Sequence, residues 1–236
     1  MIRLPVAGGS AFYELSPSKI VCIGLNYREH VKESKVFDNK QREVPTEPVL
    51  FAKTPNVLIG TGETIVIPAF LADYAFPEPR VDHEAELAVV ISRRCKNVAE
   101  KDALSFVLGY TCFNDVSQRN VQKSDTSGWF RGKSFDTFGP VGPVLVPADR
   151  LRDPQALSIS CRVNGVVKQS SSTSAMIFSV ARLISFISKN MTLEAGDLIC
   201  TGTPSGVSPI KHGDRVEVEI EGIGILTNDV TEEAAR

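Results

Sequence analysis

The sequence predicts an α+β fold that is rich in strand. Three observations carry the prediction. Short aliphatic runs recur along the chain between glycine and proline turn signals. A long segment from Met176 onward carries an apolar stripe at helical spacing, and the C-terminal region returns to strand-like alternation around a glycine hairpin signal.

Taken in order, Lys19 to Ile23 reads as a short strand, followed by Gly24 and by Asn26 to Glu33, two helical turns with Asn26 near the N-cap. The charged stretch from Ser34 through Asp38, Asn39, Lys40, Gln41, Arg42 and Glu43 to Pro45 is expected to be mobile and exposed. Strand candidates follow at Val49–Phe51, Thr64–Ile67, Glu84–Ile91 and Val107–Phe113, separated by turns such as Gly60-Thr61-Gly62 and Pro77-Glu78-Pro79. The last of them runs into the polar pair Asn114-Asp115. Met176, Ile177, Val180, Leu183, Ile184 and Ile187 then mark a helix packed on a sheet, capped by Thr173 or Ser174 and ending near Asn190. Leu198–Cys200 is an apolar strand, Arg215–Ile220 alternates, Gly222-Ile223-Gly224 signals a hairpin, and a final strand lies near Ile225–Val230.

With 236 residues, 42% of them hydrophobic, the chain can bury a sizeable core, and one domain is expected over residues 1–236. Within it, residues 1–45 would supply an N-terminal strand and a mobile segment, and residues 46–236 a β-rich core. A net charge of -2 without long basic runs argues against a nucleic-acid protein and points to a small-molecule partner. The five cysteines form no CxxC pair, which suits reduced, buried thiols. No stretch reads as a secretion signal or a membrane span, so a soluble, cytoplasmic protein is expected.

The chemistry gathers around Val81-Asp82-His83-Glu84-Ala85-Glu86-Leu87-Ala88-Val89-Val90-Ile91. Strand side chains alternate, so Glu84, Glu86, Ala88 and Val90 share one face while Ala85, Leu87, Val89 and Ile91 share the other. Both faces are apolar beyond the carboxylates, as in a buried strand, and like charges about 7 Å apart there repel unless a cation or proton intervenes. A bound metal is the simplest remedy, and Asp115 at its own strand end would complete an all-oxygen site suited to Mg²⁺, Mn²⁺ or Ca²⁺. Exposed edge charges are the plainer alternative. His83 points to the opposite face and reads as a packing or surface histidine.

His30 and Glu33 stand close enough on a helix for the carboxylate to orient the imidazole or a water, although on spacing alone a solvated helix face, with Arg28, Glu29, Lys32 and Lys35 around them, is the better explanation. Lys133, in Arg131-Gly132-Lys133-Ser134-Phe135-Asp136, would near a metal have a lowered pKa or act as an electrostatic clamp; otherwise it is a surface lysine. The turn Thr201-Gly202-Thr203-Pro204-Ser205-Gly206 brings backbone amides and hydroxyls close to any ligand, or is a plain tight turn.

Together these segments resemble the fumarylacetoacetate hydrolase family, specifically its short acylpyruvate hydrolase and oxaloacetate decarboxylase members. The matching stretches are Gly24-Leu25-Asn26-Tyr27 with His30 and Glu33, His83 to Ala88, Gly109-Tyr110 through Asn114-Asp115-Val116-Ser117 to Arg119 and Gln122, Gly132 to Asp136, and Gly196-Asp197 through Thr201 to Pro204. The resemblance implies a mixed β-roll or sandwich, usually dimeric, with Glu84, Glu86 and Asp115 on Mg²⁺ or Mn²⁺. It also implies that Lys133, Arg119, Gln122 and Thr203 contact substrate oxygens and that His30 and Glu33 belong to a lid. Asn120 stands where such proteins often carry aspartate, and no extra N-terminal domain is seen, so fumarylacetoacetate itself is not the expected substrate.

The expected activity is metal-dependent cleavage of C–C bonds in 2-oxo acids, by acylpyruvate hydrolysis or oxaloacetate decarboxylation through an enolate, with His30, Glu33 and Lys133 as catalytic groups. The first alternative is an enol–keto tautomerase or isomerase, which needs only the enolate and a proton shuttle. A non-catalytic metal-binding β-domain is the second.

Overall fold

The computed structural model of the chain describes residues 1–38, 43–126, 128–151 and 153–234. Its larger sheet runs in the order Val49–Lys53, Ile20–Gly24, Leu198–Cys200, Ala85–Ile91, Val107–Asn114, Gly139–Pro147 and Leu58–Ile59. The sheet is mixed: Leu198–Cys200 is parallel to Ile20–Gly24 and Gly139–Pro147 is parallel to Leu58–Ile59, while the other neighbours are antiparallel. A smaller sheet joins Val166–Ser172, Ser158–Val163, Arg215–Ile220, Gly224–Glu232 and Ile65–Ile67. The fold is therefore mixed and strand-rich, as the sequence predicts.

The Ala85–Ile91 strand lies in the middle of the larger sheet and is buried along its whole length. Ala85, Leu87, Val89 and Ile91 pack into one core with Ile159, Cys161, Val216 and Val218 of the smaller sheet. Ala88 and Val90 pack on the opposite face with Ile20, Cys22, Leu198, Cys200 and the N-terminal residues Leu4 and Leu15. Each large aliphatic side chain so buried contributes roughly 1.5–3 kcal/mol, and the two cores hold the strand in a single register. A slip of one residue would drive Glu86 into the inter-sheet core. All five cysteines are free and buried.

Several boundaries differ from the sequence prediction. The helix expected from Met176 spans Val180–Asn190, and its N-cap is Ser179, whose hydroxyl accepts from the Arg182 amide at 3.2 Å. Thr173–Ala175 forms a single 3-10 turn instead. Met176 and Ile177 stay outside the helix because their backbone pairs with Tyr27 and with the Asn26 carbonyl. At the N-terminal side the helix runs Arg28–Asp38, longer than the two turns expected. Asn26 lies before it and does not cap it. Its carboxamide donates to the carbonyls of Phe178 and Thr201 at 3.1 and 2.7 Å and accepts from the Phe178 amide at 2.8 Å. Residues 39–42 of the predicted mobile segment lie outside the described residues. Among the described residues no helix is long and apolar enough to cross a membrane.

Candidate active site

Glu86 projects from the central strand, and Glu84 sits one step before it, between the short Val81–Asp82 strand and Ala85. Two backbone links tie Glu84 to the end of the neighbouring strand: its amide donates to Asn114 Oδ1 at 2.9 Å, and its carbonyl accepts from the Asp115 amide at 2.8 Å. The consequence is that carboxylate oxygens of Glu84, Glu86 and Asp115 lie within 4.8 Å of one another, all three buried. The structure thus brings together the three acidic residues singled out in the sequence, on the face that strand alternation assigns to Glu84 and Glu86.

Cations meet two of the three. The Lys133 ammonium donates to Glu84 Oε2 at 2.7 Å and to Asp115 Oδ2 at 2.6 Å. It reaches them because the short helix Phe130–Lys133 packs tightly on its neighbour; a Cβ on Gly132 would meet Gln122 N at 2.7 Å and Gln118 O at 2.8 Å. Burial alone would lower the Lys133 pKa, but Asp115 and Glu84 outweigh it and raise it. In the metal-free site the two carboxylates thus favour Lys133 as an ammonium. Asp115 Oδ1 accepts from Lys53 at 2.6 Å, a buried lysine that sequence reading did not single out. Arg119 donates to Glu84 Oε1 at 2.5 Å, to Gln122 Oε1 at 2.9 Å and to Asp82 Oδ2 at 2.7 Å, while Asp82 Oδ1 takes Arg80 at 2.7 Å. Asp82, wholly buried between two arginines, was also missed. Asn120 receives the Arg80 amide at 2.9 Å and donates to the Glu78 carbonyl at 3.1 Å, so it braces the loop that leads into Asp82.

This pairing splits the carboxyl groups electrostatically. Burial would raise the Glu84 pKa, but Lys133 and Arg119 overcome it and hold the group well below the usual carboxylate range. Burial, followed by the charges of Asp115 and Glu84, pushes Glu86 well above it. Glu86 Oε2 accepts a hydrogen bond from the neutral Gly202 amide at 2.9 Å. That amide comes close because residue 202 is glycine at φ +92°, where a Cβ would meet Asn26 Cβ at 2.8 Å. Beside it the buried Tyr27 hydroxyl has no hydrogen-bond partner among the described residues. Three converging hard oxygen donors, one of them without a salt bridge among the described residues, fit a divalent ion of the Mg²⁺ or Mn²⁺ type.

Glu84 and Glu86, with Lys133, floor a cavity of about 130 Å³. Phe51 and Trp129, edge to face at 5.5 Å between ring centres, form an apolar wall; Arg80, Arg119, Gln122 and Thr203 line the polar side. His30 lines it as well, with Nδ1 3.2 Å from Glu33 Oε2, and Glu33 is itself held by the Gly206 amide at 3.1 Å. Of the residues picked out in the sequence, His30, Glu84, Glu86, Arg119, Gln122, Lys133 and Thr203 line this one space, while Glu33 and Asp115 contact it through His30 and Lys133, so the solvated-face reading of His30 does not hold. His83 is buried, packed between Gln169 and Ser208.

Residues 19–231 match the family model described as fumarylacetoacetate (FAA) hydrolase C-terminal. The chain belongs to the fumarylacetoacetate hydrolase family. The mitochondrial oxaloacetate tautomerase Fahd2a of Rattus norvegicus is 40% identical over 222 residues, which span 91% of this chain and 66% of that protein. A crystal structure of 2-hydroxyhepta-2,4-diene-1,7-dioate isomerase from Mycobacterium marinum is similar at a TM-score of 0.79 and 43% identity, covering 93% of this chain and 76% of the other. Maleylpyruvate hydrolase from Sphingobium sp. SYK-6, solved with manganese(II) and pyruvate, is similar at 0.76 and 32% identity, covering 92% and 72%. Fumarylacetoacetate hydrolase family members thus include both isomerases and hydrolases close to this chain in sequence and fold.

Proposed function

We propose that this family member catalyses proton transfer on an enolisable 2-oxo acid, a keto–enol tautomerisation or isomerisation of an oxaloacetate-like substrate, with Glu84, Glu86 and Asp115 holding one Mg²⁺ or Mn²⁺. The observation that carries the reading is the His30–Glu33 pair, anchored by Gly206, whose His30 lines the same cavity as Glu84 and Glu86. A divalent ion there supplies Lewis acidity toward the substrate's carboxylate and keto oxygens. The chain's own residues do the rest. Arg119, Gln122 and Thr203 orient the acid through its oxygens, and Lys133 offers a positive charge to the oxygen on which negative charge collects. Phe51 and Trp129 keep water from the apolar side, and His30, oriented by Glu33, takes a proton from one carbon or oxygen of the substrate and returns it to another.

The names of the tautomerase and isomerase relatives, which are more similar to this chain than the hydrolase, support that order. A second reading, cleavage of an acylpyruvate or decarboxylation of oxaloacetate, is favoured by the same pair, since a carboxylate-backed histidine can equally deprotonate a water. The maleylpyruvate hydrolase supports it. Mg²⁺-loaded protein is mixed with oxaloacetate and with acetylpyruvate while the enol absorbance and released pyruvate are followed together. Loss of the enol band faster than in protein-free controls, without pyruvate, is expected. Stoichiometric pyruvate turns the assignment to cleavage, and neither signal with any 2-oxo acid defeats both readings.

A further inference from the structure

Thr203, on the cavity wall, ends a chain of buried side chains whose hydrogen-bond directions can all be assigned. Gln169, from the Val166–Ser172 strand of the smaller sheet, has no exposed surface. Its Oε1 lies 3.0 Å from the Ala85 amide and its Nε2 lies 2.8 Å from the Pro204 carbonyl oxygen. A backbone amide only donates and a carbonyl only accepts, so the carboxamide has one possible orientation. The same Nε2 donates to Thr203 Oγ1 at 2.7 Å. The same Oε1, an acceptor, faces His83 Nδ1 at 3.1 Å, which places a proton on that ring nitrogen; Nε2 of the ring meets Ser208 Oγ at 2.9 Å. One of the two lone pairs of Thr203 Oγ1 is therefore taken by Gln169. Among the described residues its own O–H donates to no protein group, and the residue lines the cavity.

We propose that Gln169 is a positioning residue that fixes the Thr203 hydroxyl as a hydrogen-bond donor into the cavity, where it binds an acceptor-only oxygen of the substrate, a carboxylate or enolate oxygen. The proposal rests on reading the cavity as a 2-oxo acid site and adds a positioning residue to it. Gln169→Glu substitutes an acceptor for the Nε2 donor, so the Thr203 O–H turns out of the cavity toward the new carboxylate.

The test uses pyruvate binding to the Mg²⁺-loaded protein, oxaloacetate kinetics, and ¹⁵N NMR of the His83 ring. Thr203→Val and Gln169→Glu should each weaken pyruvate binding about tenfold, the worth of one such hydrogen bond. KM should rise in parallel with little change in kcat and unchanged Mg²⁺ affinity. Thr203→Ser should retain parental binding, and the double variant Gln169→Glu/Thr203→Val should be no weaker than Thr203→Val alone. Additive losses, or parental binding by a folded Gln169→Glu, overturn the proposal. Should Gln169→Glu fail to fold, the Thr203 pair and the NMR spectrum decide, because an unprotonated Nδ1 on His83 breaks the chain of directions whatever the activity. Failure of the parent to bind any 2-oxo acid, with Nδ1 protonated, instead removes the assignment of the cavity.

Discussion

Removing Asp82 tests how much of the anchoring of the two arginines on the polar wall this carboxylate supplies. Asp82 is fully buried, with Arg119 Nε at 2.7 Å on one oxygen and Arg80 Nε at 2.7 Å on the other. The Arg119 side chain is only 16% exposed, so its charge-assisted bond contributes about 1.5–3 kcal/mol. Arg80 is 30% exposed, and solvent screening reduces its share to below about 1 kcal/mol. Asp82→Ala should then cost about 2–4 kcal/mol, which in a chain of this size lowers the melting temperature by roughly 5–12 °C. Arg119 keeps Gln122 and Glu84, so the fold should survive with KM raised because the guanidinium is no longer aimed. Asp82→Asn, which retains one acceptor oxygen, should fall between. Calorimetry beside substrate kinetics checks both expectations. A melting point for Asp82→Ala within about 2 °C of the parent would refute the claim that this carboxylate anchors the arginines.

Three further outcomes are expected. Glu84→Gln should abolish divalent-ion binding and activity together, whereas His30→Ala should leave the ion's affinity unchanged by calorimetry and reduce turnover about 10²–10⁴-fold; metal loss in the histidine variant would show that the two roles are not separate. Glu86 is raised above its ordinary 4.5, so the metal-free fold keeps a proton there that the unfolded chain gives up. Its contribution to metal-free stability is therefore full below about pH 4.5 and is lost as pH rises through the raised value, while ion binding displaces the proton and tightens with pH; calorimetry in buffers of different ionisation enthalpy should detect the released proton, and pH-independent affinity would contradict this. Gly202→Ala puts a Cβ against Asn26 Cβ at 2.8 Å and at φ +92°, costing about 2–4 kcal/mol and displacing the Glu86 amide contact, read as a lower melting point with weaker Mg²⁺ binding.

The legible parts of this chain were those written in a period or a cluster. Alternation in Ala85–Ile91 gave both buried faces and the shared side of Glu84 and Glu86, and Asn114-Asp115 at a strand end supplied the third carboxylate. Lys53 and Gln169 are single polar residues at the end or middle of strands, and nothing local distinguishes a lysine that neutralises Asp115 from one that ends a strand in solvent. Asp82 carried a readable signal, since the same alternation places it on the side of Glu84 and Arg80 stands two residues before it, but its second arginine, Arg119, is distant in sequence. The Ser158–Val163 and Val166–Ser172 pair is serine-rich and lacks a strong β-pattern, and Gly139–Pro147 holds Pro140, Pro143 and Pro147. Those strands form because neighbours on the sheet supply their hydrogen bonds, which propensity does not record.

Anomalous diffraction from crystals grown with Mn²⁺ addresses the convergence of three carboxylates on one ion most directly. One peak per chain is expected, within about 2.0–2.3 Å of oxygens from Glu84, Glu86 and Asp115 and absent in Glu84→Gln crystals. A peak elsewhere, or none at saturating Mn²⁺ with the Lys133 ammonium still between Glu84 and Asp115, would contradict it.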